Sequence, residues 1–244
     1  MIEVRDLYKS FGEEKVLEGV SLKVEKGENL VILGRSGTGK SVLLKIIVGL
    51  YRADRGEVRI NGQEITGLDV EQLNEVRKRM GFLFQGAALF DSMTVAENVA
   101  FPLRRHTRLK PDEIKDRVME KLRQVGLEGD ADKMPAELSG GMRKRVGLAR
   151  AIALDPRIIF YDEPTTGLDP ITAREINDLI VRLKEELKVT SITVTHDLVS
   201  AQVIGDEIAL LHEGRVADSG SFDHMRHSRN EFVRQFFAEG FLEE

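Results

Sequence analysis

The chain has 244 residues and a formal net charge of −5 at pH 7, with 41% apolar and 32% charged residues. Contacts to nucleic-acid phosphates normally need a basic excess, so this acidic balance argues against nucleic-acid binding. The sequence contains no cysteine, which excludes disulfides and thiolate metal sites and fits a reducing compartment. No apolar run approaches the roughly 20 residues that span a bilayer. We therefore expect a cytoplasmic protein that reaches a membrane only through a partner.

Alternating apolar and charged residues predict β-strands in the first third of the chain. Ile2 and Val4 alternate with charged residues, and this pattern predicts a strand rather than a signal peptide. Asn61-Gly62 separates two further strand-like segments, 57–60 and 63–65. A type I′ turn needs positive φ at both central residues, so Asn-Gly predicts a hairpin here. We therefore expect an antiparallel β subdomain at the N-terminal end.

Three short segments lack this alternation and are nearly continuously apolar or β-branched: 30–33, 158–161 and 191–195. Strands that are buried on both faces of a parallel sheet have this composition. Helical patterns follow two of these segments, over 40–50 and 170–187. The alternation of buried strands and helices predicts an α/β core.

The middle of the chain, from about residue 86 to 155, loses the buried-strand pattern and gains helical patterns. Within it, 112–125 has one apolar face, with Pro111 before it and Gly126 after it, as is typical of helix starts and ends. We therefore predict a helical subdomain, about 86–155, inserted into the α/β core.

The C-terminal tail, residues 221–244, carries large apolar side chains at helical spacing: Phe232, Val233, Phe236, Phe237 and Phe241. A helix with such a face has to bury it against something. Two interpretations remain open at this point. The helix folds back onto its own core, or it contacts another subunit.

A glycine-rich loop lies between a predicted buried strand and a predicted helix. It reads Gly34-Arg35-Ser36-Gly37-Thr38-Gly39-Lys40-Ser41 and matches the pattern G-x-x-x-x-G-K-[ST]. The glycines let successive backbone N–H groups turn inward, and the following helix points its positive end at bound phosphates. Lys40 would supply charge to the β- and γ-phosphates, and the Ser41 hydroxyl would be a hard oxygen ligand for Mg²⁺. All eight residues are thus predicted to contact ATP.

Two other predicted buried strands end in polar residues. One ends in Asp162 and Glu163, and another is followed by His196. Active residues of open α/β sheets lie at such carboxyl ends. We predict that Asp162 holds Mg²⁺, that Glu163 polarises the attacking water, and that His196 bonds to the γ-phosphate and to Glu163.

A further motif, Leu138-Ser139-Gly140-Gly141-Met142, precedes a helical pattern that continues to Leu154. Here the chain resembles the ATP-binding subunits of ABC transporters, whose signature is L-S-G-G-Q. Met142 stands in the place of glutamine and cannot form comparable hydrogen bonds. The resemblance extends to about Gly220. It includes a loop glutamine, Gln85, and the turn Gly167-Leu168-Asp169 before the helix that begins near Pro170. Phe11 matches the aromatic residue that stacks on adenine, with Tyr8 as a second candidate.

The resemblance implies a fold and a mechanism. The fold would be a P-loop NTPase (RecA-like) core with an N-terminal antiparallel β subdomain and an inserted helical subdomain, over residues 1–220. Two copies would face each other head to tail. ATP on one phosphate loop would then be completed by Ser139, Gly140 and Gly141 of the other copy. Gln85 would contact the nucleotide and Mg²⁺ and link them to the helical subdomain, which would receive a membrane subunit.

The run from Phe84 to Leu103 resembles the ATPases of Mla-type phospholipid transporters, as do Met142 and the tail segment 232–236. This resemblance implies phospholipid transport between inner and outer membranes, with the chain peripheral on the cytoplasmic face of the inner membrane. The implied partners are a second copy, an integral permease, an MCE-domain protein and, in many members, a STAS-domain subunit. If the tail latches onto the second copy, truncation after Gly220 should weaken assembly.

Three alternatives compete with this interpretation. The first is the ATPase of a small-solute importer of the amino-acid type. The second is a non-transport ABC protein, which is disfavoured because such proteins usually carry long coiled-coil insertions or two ATPase domains. The third is a binding module without hydrolysis, which is opposed by the intact set Lys40, Asp162, Glu163 and His196.

Overall fold

A computed structural model describes residues 1–239 of the chain. Its strands are β1 (Ile2–Phe11), β2 (Glu14–Val24), β3 (Asn29–Leu33), β4 (Arg55–Ile60), β5 (Gln63–Glu64), β6 (Met80–Leu83), β7 (Ile158–Asp162), β8 (Thr190–Thr195), β9 (Glu207–His212) and β10 (Arg215–Gly220). Its α-helices are α1 (Lys40–Ile47), α2 (Val70–Arg77), α3 (Val95–His106), α4 (Pro111–Gln124), α5 (Gly140–Ala151), α6 (Pro170–Leu187), α7 (Leu198–Ile204), α8 (Phe222–Arg226) and α9 (Glu231–Glu239).

The chain divides into two compact units. The first unit combines residues 1–74 with the chain from residue 190 onward, and the second comprises residues 75–189. The segment predicted as a helical subdomain, about 86–155, falls inside the second unit. None of the helices within residues 1–239 combines the length and the apolar composition that crossing a bilayer requires.

The antiparallel sheet of the first unit confirms the predicted β subdomain. Its strand order is β2-β1-β4-β5, and all its pairings are antiparallel. The turn between β4 and β5 has φ of 50° at Asn61 and 83° at Gly62. Both angles are positive, as a type I′ turn requires. Asparagine and glycine occupy these positions because they tolerate this conformation. The hairpin prediction is therefore confirmed, with the second strand ending at Glu64.

A second set of strands in the first unit combines the buried parallel strands β3, β8 and β9 with an antiparallel strand, β10. β3 pairs in parallel with β8 and β9, and β10 runs antiparallel to β9. Every residue of β3 and β8 is buried. The continuous apolar and β-branched composition of these strands arises because both of their faces are covered. In the register of this pairing, Leu33 lies opposite Thr195, so the two strands end together.

The second unit pairs β6 in parallel with β7 and packs helices α3, α4, α5 and α6 against one another. α4 begins at Pro111 and ends at Gln124, within one residue of the predicted segment. Its apolar face buries Val118 and Leu122, and the chain turns at Gly126 with φ of 72°. The helix predicted over 170–187 is confirmed as α6.

Two helices end earlier than their sequence patterns predict. α1 ends at Ile47 rather than at Leu50, because Gly49 adopts a left-handed φ of 74° and its amide bonds to the Ile46 carbonyl. α5 ends at Ala151 rather than at Leu154. The chain then reaches Asp155 with φ of 50°, and the following proline cannot continue a helix.

The C-terminal tail forms α8 and α9, which pack on the first unit. Val233 and Phe237 are fully buried, and the Phe237 ring meets the Phe222 ring edge-on at 5.5 Å. The Phe232 ring stacks on His212 with centroids 3.7 Å apart. The described part of the tail thus folds back onto its own unit, while Phe241 lies outside the described residues. A contact of the tail with a second subunit stays a prediction.

The burial of Phe237 yields a test of this packing. Replacing Phe237 with alanine removes a ring that is 2% exposed and leaves a cavity. We expect a loss of about 3 kcal/mol in the free energy of unfolding, measured by urea denaturation. The matched control is Gln235→Ala on the exposed side of α9, which should change stability by less than about 0.5 kcal/mol. Equal stability of the two variants would contradict the packing of the tail on its own unit.

Candidate active site

The phosphate loop begins where β3 ends, at Leu33, and leads into α1. Gly39, immediately before α1, has φ of 96°, and Gly37 has φ of 82°. These left-handed angles favour glycine, because a Cβ atom is strained there. A side chain at Gly39 would also lie 2.9 Å from the Val16 Cγ1 atom. The predicted glycine pattern is thus required by the backbone path of the loop.

Lys40 is buried, and its ammonium reaches back over the loop. It donates hydrogen bonds to the carbonyls of Gly34 at 2.7 Å and Arg35 at 3.0 Å. The Thr38 hydroxyl donates to the same Arg35 carbonyl at 2.9 Å. The loop therefore holds a positive charge above a concave turn of backbone, and Ser41 follows half-buried in the first turn of the helix.

The tip of the phosphate loop is open to solvent. Arg35, Ser36 and Gly37 are exposed. Gly34, by contrast, is enclosed: a Cβ atom on it would lie 2.6 Å from the Leu211 carbonyl oxygen and 2.7 Å from the Thr38 hydroxyl. The base of the loop is thus packed against β9, while its tip can be approached from outside.

Phe11 and Tyr8, the two candidates for stacking on adenine, differ in their surroundings. The Phe11 ring is 46% exposed, meets Tyr51 edge-on and has the Lys9 ammonium 5.2 Å above its face. The Tyr8 ring has the Arg55 guanidinium 5.5 Å above it, and its hydroxyl covers Gly19, where a Cβ atom would lie 3.0 Å away. Each ring thus has a cation over one face, and Phe11 is somewhat more exposed than Tyr8, which is 36% exposed. Stacking of Phe11 on adenine stays a prediction.

His196 lies at the same edge of the first unit as the phosphate loop. It follows Thr195, the last residue of β8, which is opposite Leu33 in the parallel pairing. The side chain is exposed, and the next residue, Asp197, caps α7 by accepting a hydrogen bond from the Val199 amide at 2.9 Å. The structure therefore brings this predicted residue to the loop edge.

Asp162 and Glu163 occupy the end of β7 in the second unit, and both are buried. Glu163 has a left-handed φ of 49°, which is strained for a residue other than glycine. The Thr166 hydroxyl donates a hydrogen bond to the Glu163 carboxylate at 2.9 Å. Thr166 was not among the sequence predictions, although it lies only three residues beyond Glu163.

Gln85 lies near this edge of the second unit, because Leu83 of β6 is opposite Tyr161 of β7. Its side chain is exposed. The loop that follows turns through Ala87 and Ala88 with φ of 59° and 47°. Arg150 of α5 donates to the carbonyls of both alanines, at 2.6 and 2.7 Å. This contact leaves no signal in the sequence, since Arg150 belongs to a helix predicted from a different motif.

Lys144 of α5 makes a second set of contacts that the sequence does not predict. Its ammonium donates hydrogen bonds to the backbone carbonyls of Gln85 and Glu163, the latter at 2.9 Å. Burial lowers the pKa of Lys144 to about 8, while the Glu163 and Asp162 carboxylates oppose this shift. Burial likewise raises the pKa of Tyr161, whose hydroxyl lies in the buried strand β7.

The signature residues form the start of α5. Ser139 is exposed, and its hydroxyl caps the helix by accepting a hydrogen bond from the Met142 amide at 3.2 Å. Gly141 has no room for a side chain, because a Cβ atom would lie 2.4 Å from the Thr172 Cγ2 atom. Asp169 in turn caps α6 and accepts a hydrogen bond from the Thr172 hydroxyl at 2.6 Å.

The donor set predicted for Mg²⁺ suits that ion chemically. A hydroxyl at Ser41, an amide oxygen at Gln85 and a carboxylate at Asp162 are hard oxygen ligands. No group of three or more His, Cys, Asp and Glu side chains within residues 1–239 could hold a metal by itself. This composition fits Mg²⁺, which in nucleotide sites takes one or two carboxylates and completes its shell with phosphate oxygens and water.

Comparison with known proteins identifies the class. The model of the ABC transporter family matches residues 17–166. The probable ribonucleotide transport ATP-binding protein mkl of Mycobacterium leprae is 46% identical over 96% of this chain and 68% of its own length. The intermembrane phospholipid transport system ATP-binding protein MlaF of Haemophilus influenzae is 45% identical over 97% of this chain and 89% of its own length.

A solved structure is also similar. The dimeric post-hydrolysis structure of the ATP-binding cassette MJ0796, bound to ADP and Pi, has a TM-score of 0.84 and 36% sequence identity. It covers 91% of this chain and 99% of the solved chain. The strand-to-helix phosphate loop with its buried lysine defines a P-loop nucleotide-binding protein. The chain belongs to the ABC transporter family, and it is an ATP-hydrolysing subunit whose substrate is ATP.

The two glycines of the phosphate loop give a paired test of its geometry. Gly37→Ala introduces left-handed strain into open space, whereas Gly39→Ala adds a collision with Val16 to the same strain. We expect Gly37→Ala to lose about 1–2 kcal/mol in the free energy of unfolding and Gly39→Ala to lose about 1–3 kcal/mol more. Urea denaturation measures both. A smaller loss for Gly39→Ala than for Gly37→Ala would contradict the described packing of the loop.

Proposed function

We propose that this ATPase powers phospholipid transport between the inner and outer membranes, through a complex with a permease and an MCE-domain protein. The observation that carries the proposal is the 45% identity to MlaF over 97% of this chain and 89% of that protein. The matched length extends well beyond the phosphate loop and the signature motif, since it covers nearly the whole chain. The chain would then lie peripherally on the cytoplasmic face of the inner membrane.

In the proposed mechanism the phosphate loop binds ATP through its backbone amides and through Lys40. The Lys40 ammonium exchanges the carbonyls of Gly34 and Arg35 for the β- and γ-phosphate oxygens, which are stronger acceptors because they are charged. Phe11 stacks on the adenine ring. The helix α1 adds its positive N-terminal end beneath the phosphates.

For hydrolysis, the Glu163 carboxylate orients and polarises the attacking water, while His196 donates a hydrogen bond to the γ-phosphate. The Thr166 hydroxyl fixes the Glu163 carboxylate in place. Ser41, Gln85 and Asp162 would hold Mg²⁺, which neutralises charge on the phosphates when bound. Phosphoryl transfer depends mainly on such positioning and electrostatic stabilisation.

We further propose that two copies assemble head to tail around ATP. MJ0796 forms a dimer in its solved structures, and it shares 36% identity with this chain. Ser139 is exposed at the start of α5, so its hydroxyl and the Gly140-Gly141 amides can meet a phosphate that another copy presents. ATP then joins the copies, and its hydrolysis separates them.

The second unit of this chain has a groove that is a candidate docking site for the permease. The groove encloses about 270 Å³ and is mainly apolar, and its lining includes Phe82, Phe84, Phe90, Phe101 and Leu154. The rings of Phe90 and Phe101 are both 40% exposed and lie 4.7 Å apart. An amphipathic helix from the cytoplasmic side of a permease would bury them. Ala88 also lines the groove, which connects it to the loop that follows Gln85.

A second candidate function is transport of a small polar solute. The relative mkl, named a probable ribonucleotide transport protein, is 46% identical, although this chain spans only about two thirds of it. Because ABC ATPases share their nucleotide site across substrates, the chain's partners decide between the two functions. An MCE-domain partner favours phospholipid, and a periplasmic solute-binding protein favours a small solute, including the amino-acid type.

The first test of the catalytic assignment is Glu163→Gln, which keeps the shape of the side chain and removes its charge. We expect ATP turnover to fall by at least about 100-fold, because the group that polarises water is lost. The variant should also accumulate as an ATP-bound dimer, which size-exclusion chromatography with and without ATP detects. Turnover near that of the wild-type protein would mean that another group activates the water.

The partner assignment is tested by Phe101→Glu, which places a charge in the apolar groove. Affinity purification of the wild-type chain from its native membranes should recover a permease together with an MCE-domain protein, and the variant should recover neither. ATP turnover of the isolated variant should stay within about twofold of the wild type, because Phe101 lies outside the nucleotide site.

The matched control is Val70→Glu, since Val70 is an exposed apolar residue at the start of α2 and does not line the groove. This control should recover the same partners as the wild type. Recovery of a solute-binding protein instead of an MCE-domain protein would replace the phospholipid proposal with the importer. Unchanged recovery by Phe101→Glu would exclude the groove as the docking site.

A further inference from the structure

Lys144 stands out among the basic residues of α5 because its charge is buried. It belongs to the run Arg143-Lys144-Arg145, which by sequence resembles a solvated helix face. Arg143 is exposed and Arg145 is half-buried, but Lys144 is only 5% exposed. Removing an ammonium from water is costly, and its contacts must compensate for this cost.

The two hydrogen bonds of Lys144 join two predicted site residues that follow different strands. Its Nζ atom donates to the Gln85 carbonyl after β6 and to the Glu163 carbonyl after β7. Both acceptors are backbone atoms, so the bonds act on the path of the chain at Gln85 and Glu163 rather than on their side chains. A single ammonium with three donors can satisfy both carbonyls at once.

Glu163 needs such support because its backbone is strained. Its φ of 49° is left-handed, and residues other than glycine hold this conformation only when their surroundings impose it. The Thr166 hydroxyl fixes the carboxylate at one end, and the Lys144 ammonium fixes the carbonyl at the other. Without the second contact, the carboxylate would be anchored to a backbone free to relax toward right-handed angles.

We propose that Lys144 is a positioning residue for ATP hydrolysis, which pins the backbone of Glu163 and Gln85 to the helix that begins with the signature residues. This inference rests on the proposed roles of Glu163 and of the signature. Lys144 lies in α5, five residues after Ser139, which caps that helix. One rigid helix therefore carries both the signature residues and the Lys144 bonds to Gln85 and Glu163. The helix end that meets ATP bound to another copy thereby sets the position of the hydrolytic carboxylate in its own copy.

The test is Lys144→Met, which keeps the length of the side chain and removes all three donors. We expect kcat for ATP to fall by about tenfold or more, because a displaced carboxylate no longer aligns the water. The Kd for a fluorescent ATP analogue should stay within about twofold, since the phosphate loop is not altered. Lys144→Arg retains the charge and the donors, and it should recover part of the lost kcat.

The matched control is Lys121→Met. Lys121 is also a buried lysine of the second unit, and it bonds to Asp155 at 2.7 Å and to Glu120 at 3.2 Å, away from the site residues. The control should lose thermal stability as Lys144→Met does, yet retain its kcat. Comparing Tm and kcat for the three variants separates a loss of folding from a loss of positioning.

Two results would overturn the inference. One is a kcat for Lys144→Met within about twofold of the wild type. The other is an equal loss of kcat in Lys144→Met, Lys144→Arg and Lys121→Met, in step with their loss of Tm. The proposed function fails separately: it falls if Glu163→Gln turns over ATP like the wild type. An inactive Glu163→Gln beside a fully active Lys144→Met would reject the positioning role alone.

Discussion

The burial of parallel strands on both faces is the constraint on which the rest of this structure depends. A strand covered on both sides disfavours charged side chains along its length, and β3, β7 and β8 carry a single one, Asp162, at the end of β7. Charged groups therefore gather where these strands leave the sheet. In the first unit this constraint places the phosphate loop and His196 at one edge, and in the second it places Asp162, Glu163 and the Gln85 loop at one edge.

This constraint also explains how much of the molecule the sequence predicts. The buried strands, the Asn61-Gly62 turn and the helix 170–187 follow from local patterns, and the structure confirms them. The glycine positions of the phosphate loop are equally local, because φ and the adjacent Val16 side chain both require glycine at residue 39. These elements can be predicted from the sequence because a few neighbouring residues determine each one.

The contacts that the sequence does not reveal join distant segments through backbone atoms. Lys144 and Arg150 bond to carbonyls some 60 positions earlier in the chain, at residues 85, 87 and 88. Every residue type supplies the same carbonyl, so the acceptor leaves no trace in the sequence. The sequence pattern also places the ends of α1 and α5 too late, because apolar residues continue beyond each helix. The chain turns at the left-handed Gly49 after α1, and it reaches the left-handed Asp155 four residues after the end of α5.

The division of the chain into units has a consequence for its biosynthesis. β3 is wholly buried, yet both of its parallel partners, β8 and β9, lie after residue 189. At translation rates of 5–20 residues per second, β3 stays without a partner strand for roughly 8–30 s, until β8 emerges from the ribosome. The second unit, residues 75–189, is contiguous and can close its own sheet and helices first. During that interval the apolar side chains of β3 lack their partner strands, so protection of this early segment by chaperones would lower the risk of misassociation.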